Sequence, residues 1–373
     1  MERLLICFVL VLGLSYATIA PLKRIDRPIA DQYIVVLKDS GNVDRDREAL
    51  TDITGVSVIQ EYRRALKGFG VRVTSETALN QIRRLTDVAY VQQDGNVTLF
   101  ETSMTWGLDR IDQRNLPLDG QSSFSGNGTG VNVYVIDSGI YTQHEYFEGR
   151  ARFGYDAGGD GEGDCYGHGT HCAGTIGANH YGVARGATIW AVRIASCSGN
   201  IYWSWIIDGI DWVANHRILP AVASLSLGGS RNDAVDQAMQ GLYGAGVVAA
   251  VAAGNSNNDA CTISPAGAPS SFTVGATEHR DHRAYFSSYG SCLDIFAPGV
   301  NVLSTMIGSP RATAISSGTS MAAPHVAGAM AVALGNDPNM TPKEVWEKLK
   351  ADSTSGVLQD KGALSPDRLL YVP

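Results

Sequence analysis

Aromatic side chains make up only 8% of the 373 residues and charged ones 18%, and no stretch sets basic residues among aromatics. That removes the electrostatic and stacking footprint of a nucleic-acid partner. After the first twenty residues no apolar run is long enough to span a bilayer. The longest, at 247–253, has the length of a core strand, so no membrane partner is expected. Basic charge dominates nowhere. The formal net charge is −8, and residues 21–102 carry 12 basic and 12 acidic side chains, so the excess negative charge lies downstream. Such a balance favours solubility and says nothing about fold. Cysteine is sparse as well. There are six, used as secreted proteins use them, and Cys7 lies in the N-terminal apolar stretch. Five remain, and an odd count leaves at least one free thiol.

What the chain does have begins with that N-terminal stretch. Residues 1–20 place Arg3 ahead of an apolar region at 4–14, followed by Ser15-Tyr16-Ala17 and Thr18-Ile19-Ala20. This reads as a signal peptide with a small-residue cleavage site, so the protein is expected to be secreted and extracellular. An uncleaved anchor is the alternative. At 373 residues the chain exceeds one ordinary core, and two folded units are expected. Residues 21–100 alternate strand, helix, strand, helix, strand (33–37, 44–53, 69–73, 76–85, 88–94), the pattern of a small ferredoxin-like α/β sandwich. Residues 101–373 alternate strands and helices, with helices expected over 204–214, 234–243, 321–334 and 341–351. This is an α/β doubly wound, mostly parallel sheet.

Three segments of the second unit carry chemistry. Gly318-Thr319-Ser320-Met321-Ala322-Ala323-Pro324-His325-Val326-Ala327-Gly328 places a serine at the mouth of a buried small-residue helix. The free N–H groups and positive dipole end there suit a developing oxyanion, although alone the segment reads equally as a packed Gly/Ala helix with an N-cap serine. Val133-Tyr134-Val135-Ile136-Asp137-Ser138-Gly139 is a buried parallel strand that delivers a carboxylate at its C-terminal end, or an aspartate capping the next helix. Gly167-His168-Gly169-Thr170-His171-Cys172 flanks a histidine with glycines. Cys165, His168, His171 and Cys172 also form a dense Cys/His cluster, but no second ligand pair sits at zinc-site spacing. Finally, the apolar run 246–254 ends in Asn255, a carboxamide at a strand tip or an ordinary turn residue.

Asp, His and Ser in this order, each in its own motif, resemble the subtilisin-like serine proteases, most nearly their proteinase K subfamily. The resemblance spans residues 106–370. It implies a serine endopeptidase in which Ser320 attacks the scissile carbonyl, His168 shuttles the proton and Asp137 orients His168. It also implies that the Asn255 side chain and the Ser320 backbone N–H form the oxyanion hole. His171 has no role in such a triad. The first unit resembles the family's inhibitor-type propeptide through Tyr90-Val91-Gln92-Gln93-Asp94. The propeptide would act as folding aid and intramolecular inhibitor and leave by self-cleavage between 98 and 105, after Phe100. An independent binding domain that stays attached is the alternative.

The same resemblance pairs Cys165 with Cys197 and Cys261 with Cys292, leaving Cys172 free. It walls the first specificity pocket with Ser226-Leu227-Gly228 and Ala252-Ala253-Gly254, small and uncharged residues that imply cleavage after aromatic and large aliphatic residues. The substrate-pairing edge reads Gly199-Asn200-Ile201, where the family has Gly-x-Gly, and the β-branched Ile201 puts the inner subsites in doubt. Tyr202, Trp203 and Trp205 either line a fourth subsite or pack. A structural calcium is implied on the carbonyls of Pro269 and Ser271 and the carboxylate of Asp294, with no catalytic cofactor. Asp294 by itself reads as a surface carboxylate. Sequons stand at Asn96, Asn127 and Asn339. Protein or peptide substrates and a monomer are expected. The rival readings are a silent binding protein that keeps its prodomain, against which the intact motifs argue, and an enzyme narrowed to one target through Ile201.

Overall fold

The computed structural model describes residues 19–25, 28–95 and 106–373. The apolar leader, the processing segment at 98–105 and Asn96 lie outside the described residues. The first unit comprises β1 (Leu22–Lys23), β2 (Pro28–Leu37), α1 (Val43–Thr51), β3 (Val56–Tyr62), β4 (Gly68–Val73), α2 (Glu76–Ile82) and β5 (Val88–Gly95). Its sheet runs β1-β5-β2-β4-β3, antiparallel except for β1 on β5. From β2 to β5 this is the ferredoxin-like order. The sequence reading passed over β3 and β1. Residues 56–62 alternate without a strong apolar face, and the two residues of β1 become a strand only by pairing with Val91 and Gln92.

The second unit follows with α3 (Gly107–Ile111), β6 (Asn132–Asp137), β7 (Ala151–Asp156), α4 (His168–Gly177), β8 (Thr188–Arg193), α5 (Trp203–His216), β9 (Ala221–Leu225), β10 (Gly229–Ser230), α6 (Asp233–Gly244), β11 (Val248–Ala252), β12 (Ile263–Ser264), β13 (Phe272–Thr277), β14 (Ile295–Pro298), β15 (Val302–Thr305), β16 (Thr313–Ser316), α7 (Thr319–Asn336) and α8 (Pro342–Asp352). Seven strands form one parallel sheet in the order β14-β13-β11-β9-β6-β8-β7. The central strands are buried on both faces, which is why they read as continuous apolar runs. Successive residues still point to opposite sides. Val133 and Val135 of β6 join the core beneath α4 and α7, while Tyr134 and Ile136 join the core beneath α5 and α6.

The second of these cores continues into the first unit through Ile34, Val36, Tyr62, Ala65 and Leu66. Polar contacts fix the docking. Helix α5 has no side-chain cap of its own, and Asp94 of β5 accepts from the Ser204 N–H and hydroxyl at its first turn. Asp211, further along α5, accepts the successive backbone N–H groups of Arg63, Arg64 and Ala65. Tyr62 donates to the Ser204 carbonyl at 3.1 Å, and Lys23 pairs with Asp233 at the start of α6.

Candidate active site

Asp137 is the last residue of β6, and His168 is the first of α4. His168 Nδ1 lies 2.8 Å from Asp137 Oδ1, which also accepts the Ser138 N–H at 2.7 Å. Nδ1–H therefore faces the carboxylate. Nε2, which has no partner among the described residues, is left for a substrate. Burial alone would depress the His168 pKa, but the adjacent Asp137 carboxylate outweighs it and holds the imidazolium well above its usual range. Cys172, one helical turn on, has its Sγ 3.9 Å from His168 Nδ1. Burial raises its thiol pKa, so it is the protonated thiol and not a competing nucleophile. His171 Nε2 sits between the carbonyls of Val302 and Ala314 and ties β15 and β16 to α4. Burial and neighbouring His168 push its pKa down to about 3. Its part is structural.

Ser320 is the second residue of α7 and is fully buried. Its Oγ donates to the Ser226 carbonyl at 3.0 Å. Its own carbonyl would ordinarily accept from residue 324, but that residue is a proline without an N–H. The freed carbonyl is taken by Ser226 Oγ at 2.9 Å and Cys172 Sγ at 3.3 Å. A proline inside a helix thus ties the serine to the residue that follows β9 and to α4. Asn255 follows β11, and its Oδ1 accepts from the Thr319 N–H and hydroxyl at 2.9 and 2.8 Å.

A cavity of about 610 Å³ opens beside Asn255. Gly228 and Gly254 line it, whereas Ser226, Leu227, Ala252 and Ala253 stand buried behind the wall. Gly254 has φ +101°, and a Cβ there would come within 2.8 Å of Ile263, so only glycine keeps this wall open. The sequence reading missed Ile263, Arg231 and, from the first unit, Arg24 and Ile25 as lining residues. No local signal marks them, because Arg24 and Ile25 arrive from some 200 residues upstream. Within the segment 199–201, Gly199 turns the chain with φ +81°, Asn200 is exposed, and Ile201 bridges to Ala195. The Ile201 side chain is 3% exposed, within the core shared by both units. Trp203 is likewise buried, while Tyr202 and Trp205 pack on each other at 4.4 Å.

Cys165 is bonded to Cys197 and Cys261 to Cys292, with Cys172 the free thiol. Pro269 and Ser271 precede β13, and Asp294 precedes β14. The Asp294 carboxylate pairs with Lys350 of α8 and accepts the Thr273 N–H at 2.9 Å. The one anionic donor expected for calcium is thus held by an ammonium, and the set does not fit the ion as it stands. Asn127 and Asn339 are exposed. Among the described residues no helix is long and apolar enough to cross a membrane.

A parallel sheet with an Asp–His pair at one strand end and a serine at the start of a central buried helix agrees with the family comparisons. The subtilase family model matches residues 128–366, and the peptidase inhibitor I9 model matches residues 32–100. The chain belongs to the subtilase family. An extracellular serine proteinase of Thermus sp. (strain Rt41A) is 44% identical over 95% of this chain and 93% of its own. Alkaline serine exoprotease A of Vibrio alginolyticus is 40% identical over 93% of this chain and 68% of its own. The solved structure of a cold-adapted subtilisin-like serine proteinase superposes with a TM-score of 0.70 at 46% identity, over 73% of this chain and 99% of that one. This subtilase is accordingly a serine endopeptidase with an inhibitor-type domain at its N-terminal side.

Proposed function

We propose that this subtilase is a secreted endopeptidase that processes itself and hydrolyses proteins through an acyl-enzyme on Ser320. The observation that carries the reading is the 2.8 Å His168–Asp137 pair, buried next to the Ser320-bearing end of α7. For attack, Ser320 Oγ turns from the Ser226 carbonyl toward His168 Nε2, which takes its proton. Asp137 keeps the tautomer and stabilises the imidazolium, the role established for the aspartate of this triad. Asn255 Nδ2 and the Ser320 N–H receive the oxyanion. Removing the side-chain donor should cost roughly 10²–10³ in kcat, the loss established for this group in a subtilisin. His168 then protonates the leaving amine, and water releases the acid.

The glycine-walled cavity with Ile263 at its side supports cleavage after aromatic and large aliphatic residues. Secretion is supported by the apolar leader and by the extracellular Thermus relative. The domain division at residue 100 and the cut after Phe100 follow from the same reading. We assign no calcium to Pro269, Ser271 and Asp294, because Lys350 holds the carboxylate.

The test is intact mass and N-terminal sequencing of the secreted product, wild type beside Ser320→Ala. The wild type should begin between residues 99 and 105, and the variant should retain the upstream domain. Identical cutting of both would refute self-processing.

A further inference from the structure

Among the polar groups around the Asp–His pair, one carboxylate carries far more contacts than its position suggests. Asp164 lies in the loop before α4, three residues ahead of the helix N-cap, Gly167. Gly167 has no side chain with which to cap, so the first-turn N–H groups of α4 need another acceptor. Asp164 supplies it. Its Oδ1 accepts from the Tyr166 and Gly167 N–H groups at 2.9 and 2.8 Å, and its Oδ2 from the Thr170 N–H and hydroxyl at 3.0 and 2.6 Å. A fifth donor comes from outside the loop: Ser138 Oγ, in the residue after Asp137, reaches Asp164 Oδ1 at 2.9 Å. The same Ser138 oxygen accepts the Gly169 N–H at 2.9 Å, and the Thr170 hydroxyl accepts the Tyr141 N–H at 2.9 Å.

The two backbones so joined are in direct contact. A Cβ on Gly169 would come within 2.1 Å of the Gly139 carbonyl, and one on Gly139 within 2.0 Å of the Gly163 carbonyl. With no side chains between them, the strand tip carrying Asp137 and the helix start carrying His168 are held in register by hydrogen bonds. Asp164 is where those bonds converge.

We propose that Asp164 is a positioning residue for catalysis: its carboxylate clamps the end of β6 to the first turn of α4 and thereby sets the His168–Asp137 distance. This rests on the triad reading above. A misplacement of about 1 Å in a catalytic group costs on the order of 10²-fold in rate. Asp164→Asn keeps the shape but turns an amide N–H₂ toward one set of donors. It should therefore lower kcat per active site by roughly 10²-fold with KM little changed.

The experiment compares wild type, Asp164→Asn and Ser138→Ala, each counted by fluorophosphonate labelling. It reads kcat and KM, the acid limb of the pH profile of kcat/KM, and the far-downfield proton resonance of His168 Nδ1–H. Asp164→Asn should remain labelled at Ser320. It should lose kcat, lose or broaden the downfield proton, and move the acid limb toward the ordinary histidine value. Ser138→Ala, which cuts the strand link and the acceptor of the Gly169 N–H while leaving the bonds of Asp164 to Tyr166, Gly167 and Thr170 intact, should show the same signature in weaker form. If Asp164→Asn lowers only the melting temperature, with kcat per site, pH profile and proton unchanged, the proposal is overturned. Should that variant not fold, a wild-type kcat and proton in Ser138→Ala overturns it equally. Failure of the triad reading looks different: wild type would then not label at Ser320, or Ser320→Ala would stay active.

Discussion

Pro324 shows how much one residue does here by lacking a single atom. Its missing N–H frees the Ser320 carbonyl, and Ser226 meets the serine twice, accepting from its Oγ and donating to its carbonyl. The pairing places the nucleophile and closes a buried polar account at once. Ser226→Ala leaves the carbonyl with only the weak Cys172 donor. The expected cost is about 1–3 kcal/mol in stability, with a fall in kcat. Thermal melting and steady-state kinetics of the processed enzyme check this. A variant with wild-type melting and turnover would show that Ser226 serves only as pocket backbone. Ser320, His168, Asp137 and Asn255 each stand in a short motif that marked them as candidates once the family resemblance was added, and the structure sets His168 Nδ1 2.8 Å from Asp137 Oδ1. The part played by Ser226 was not legible, since its partner lies 94 residues away.

Among the elements, α5 draws part of its stability from the first unit. Its cap is Asp94, and its outer carboxylate, Asp211, collects three prodomain N–H groups. Burial raises the Asp94 pKa to about 6, and the hydrogen bonds from Ser204 and Gly95 only partly offset that. Burial also raises Asp211. A carboxyl whose folded pKa exceeds its unfolded value contributes stability that is fully present below the unfolded value, about 3.9. That contribution is lost as the pH rises through the folded value. The unprocessed Ser320→Ala protein should therefore lose prodomain docking stability between about pH 4 and 6 and level off above. Adding Asp94→Asn should flatten that slope in thermal melts taken across the range. An unchanged slope would place the titration elsewhere. Helices α5 to α8 were legible within one or two residues from period and caps. The capping box of α8, Thr341 with Glu344, shows why local chemistry suffices there. The cap of α5 had no local sign.

At the scale of the whole molecule, the two units meet almost backbone to backbone. Gly241 of α6 lies so close to Ala65 that a Cβ would come within 1.9 Å of its carbonyl oxygen. Gly241→Ala should obstruct docking while adding up to about 1 kcal/mol of helix propensity to the catalytic unit on its own. The expected result is a reduced yield of processed enzyme whose melting temperature is unchanged or higher. Secretion yield and melting of the purified product measure the two parts separately. A normal yield would mean that α6 can shift without cost. Because the core beneath α5 and α6 extends into Tyr62, Ala65 and Leu66, separating the two units would expose apolar surface that the intact chain buries.

The amino-acid sequence by itself indicated the doubly wound sheet, candidate Asp, His and Ser motifs and at least one free thiol, while the family and Cys172 as that thiol came through resemblance to the subtilisin-like proteases. The sheet and the motifs rest on local patterns: continuous apolar strands, a serine behind glycine at a helix start, a histidine between glycines. The resemblance also led to calcium at Asp294, an expectation that did not allow for Lys350, since an ion pair across 56 positions leaves no pattern. Only the tertiary structure decided that Ile201 packs inward, that Arg24 and Ile25 line the cleft, and that Asp164 joins the Asp137 strand to the His168 helix. Each is a contact between segments that approach only after the sheet has formed. The physical reason is common to all three: periodicity and caps report a residue's own element, while what that residue touches is set by the packing of elements distant in the chain.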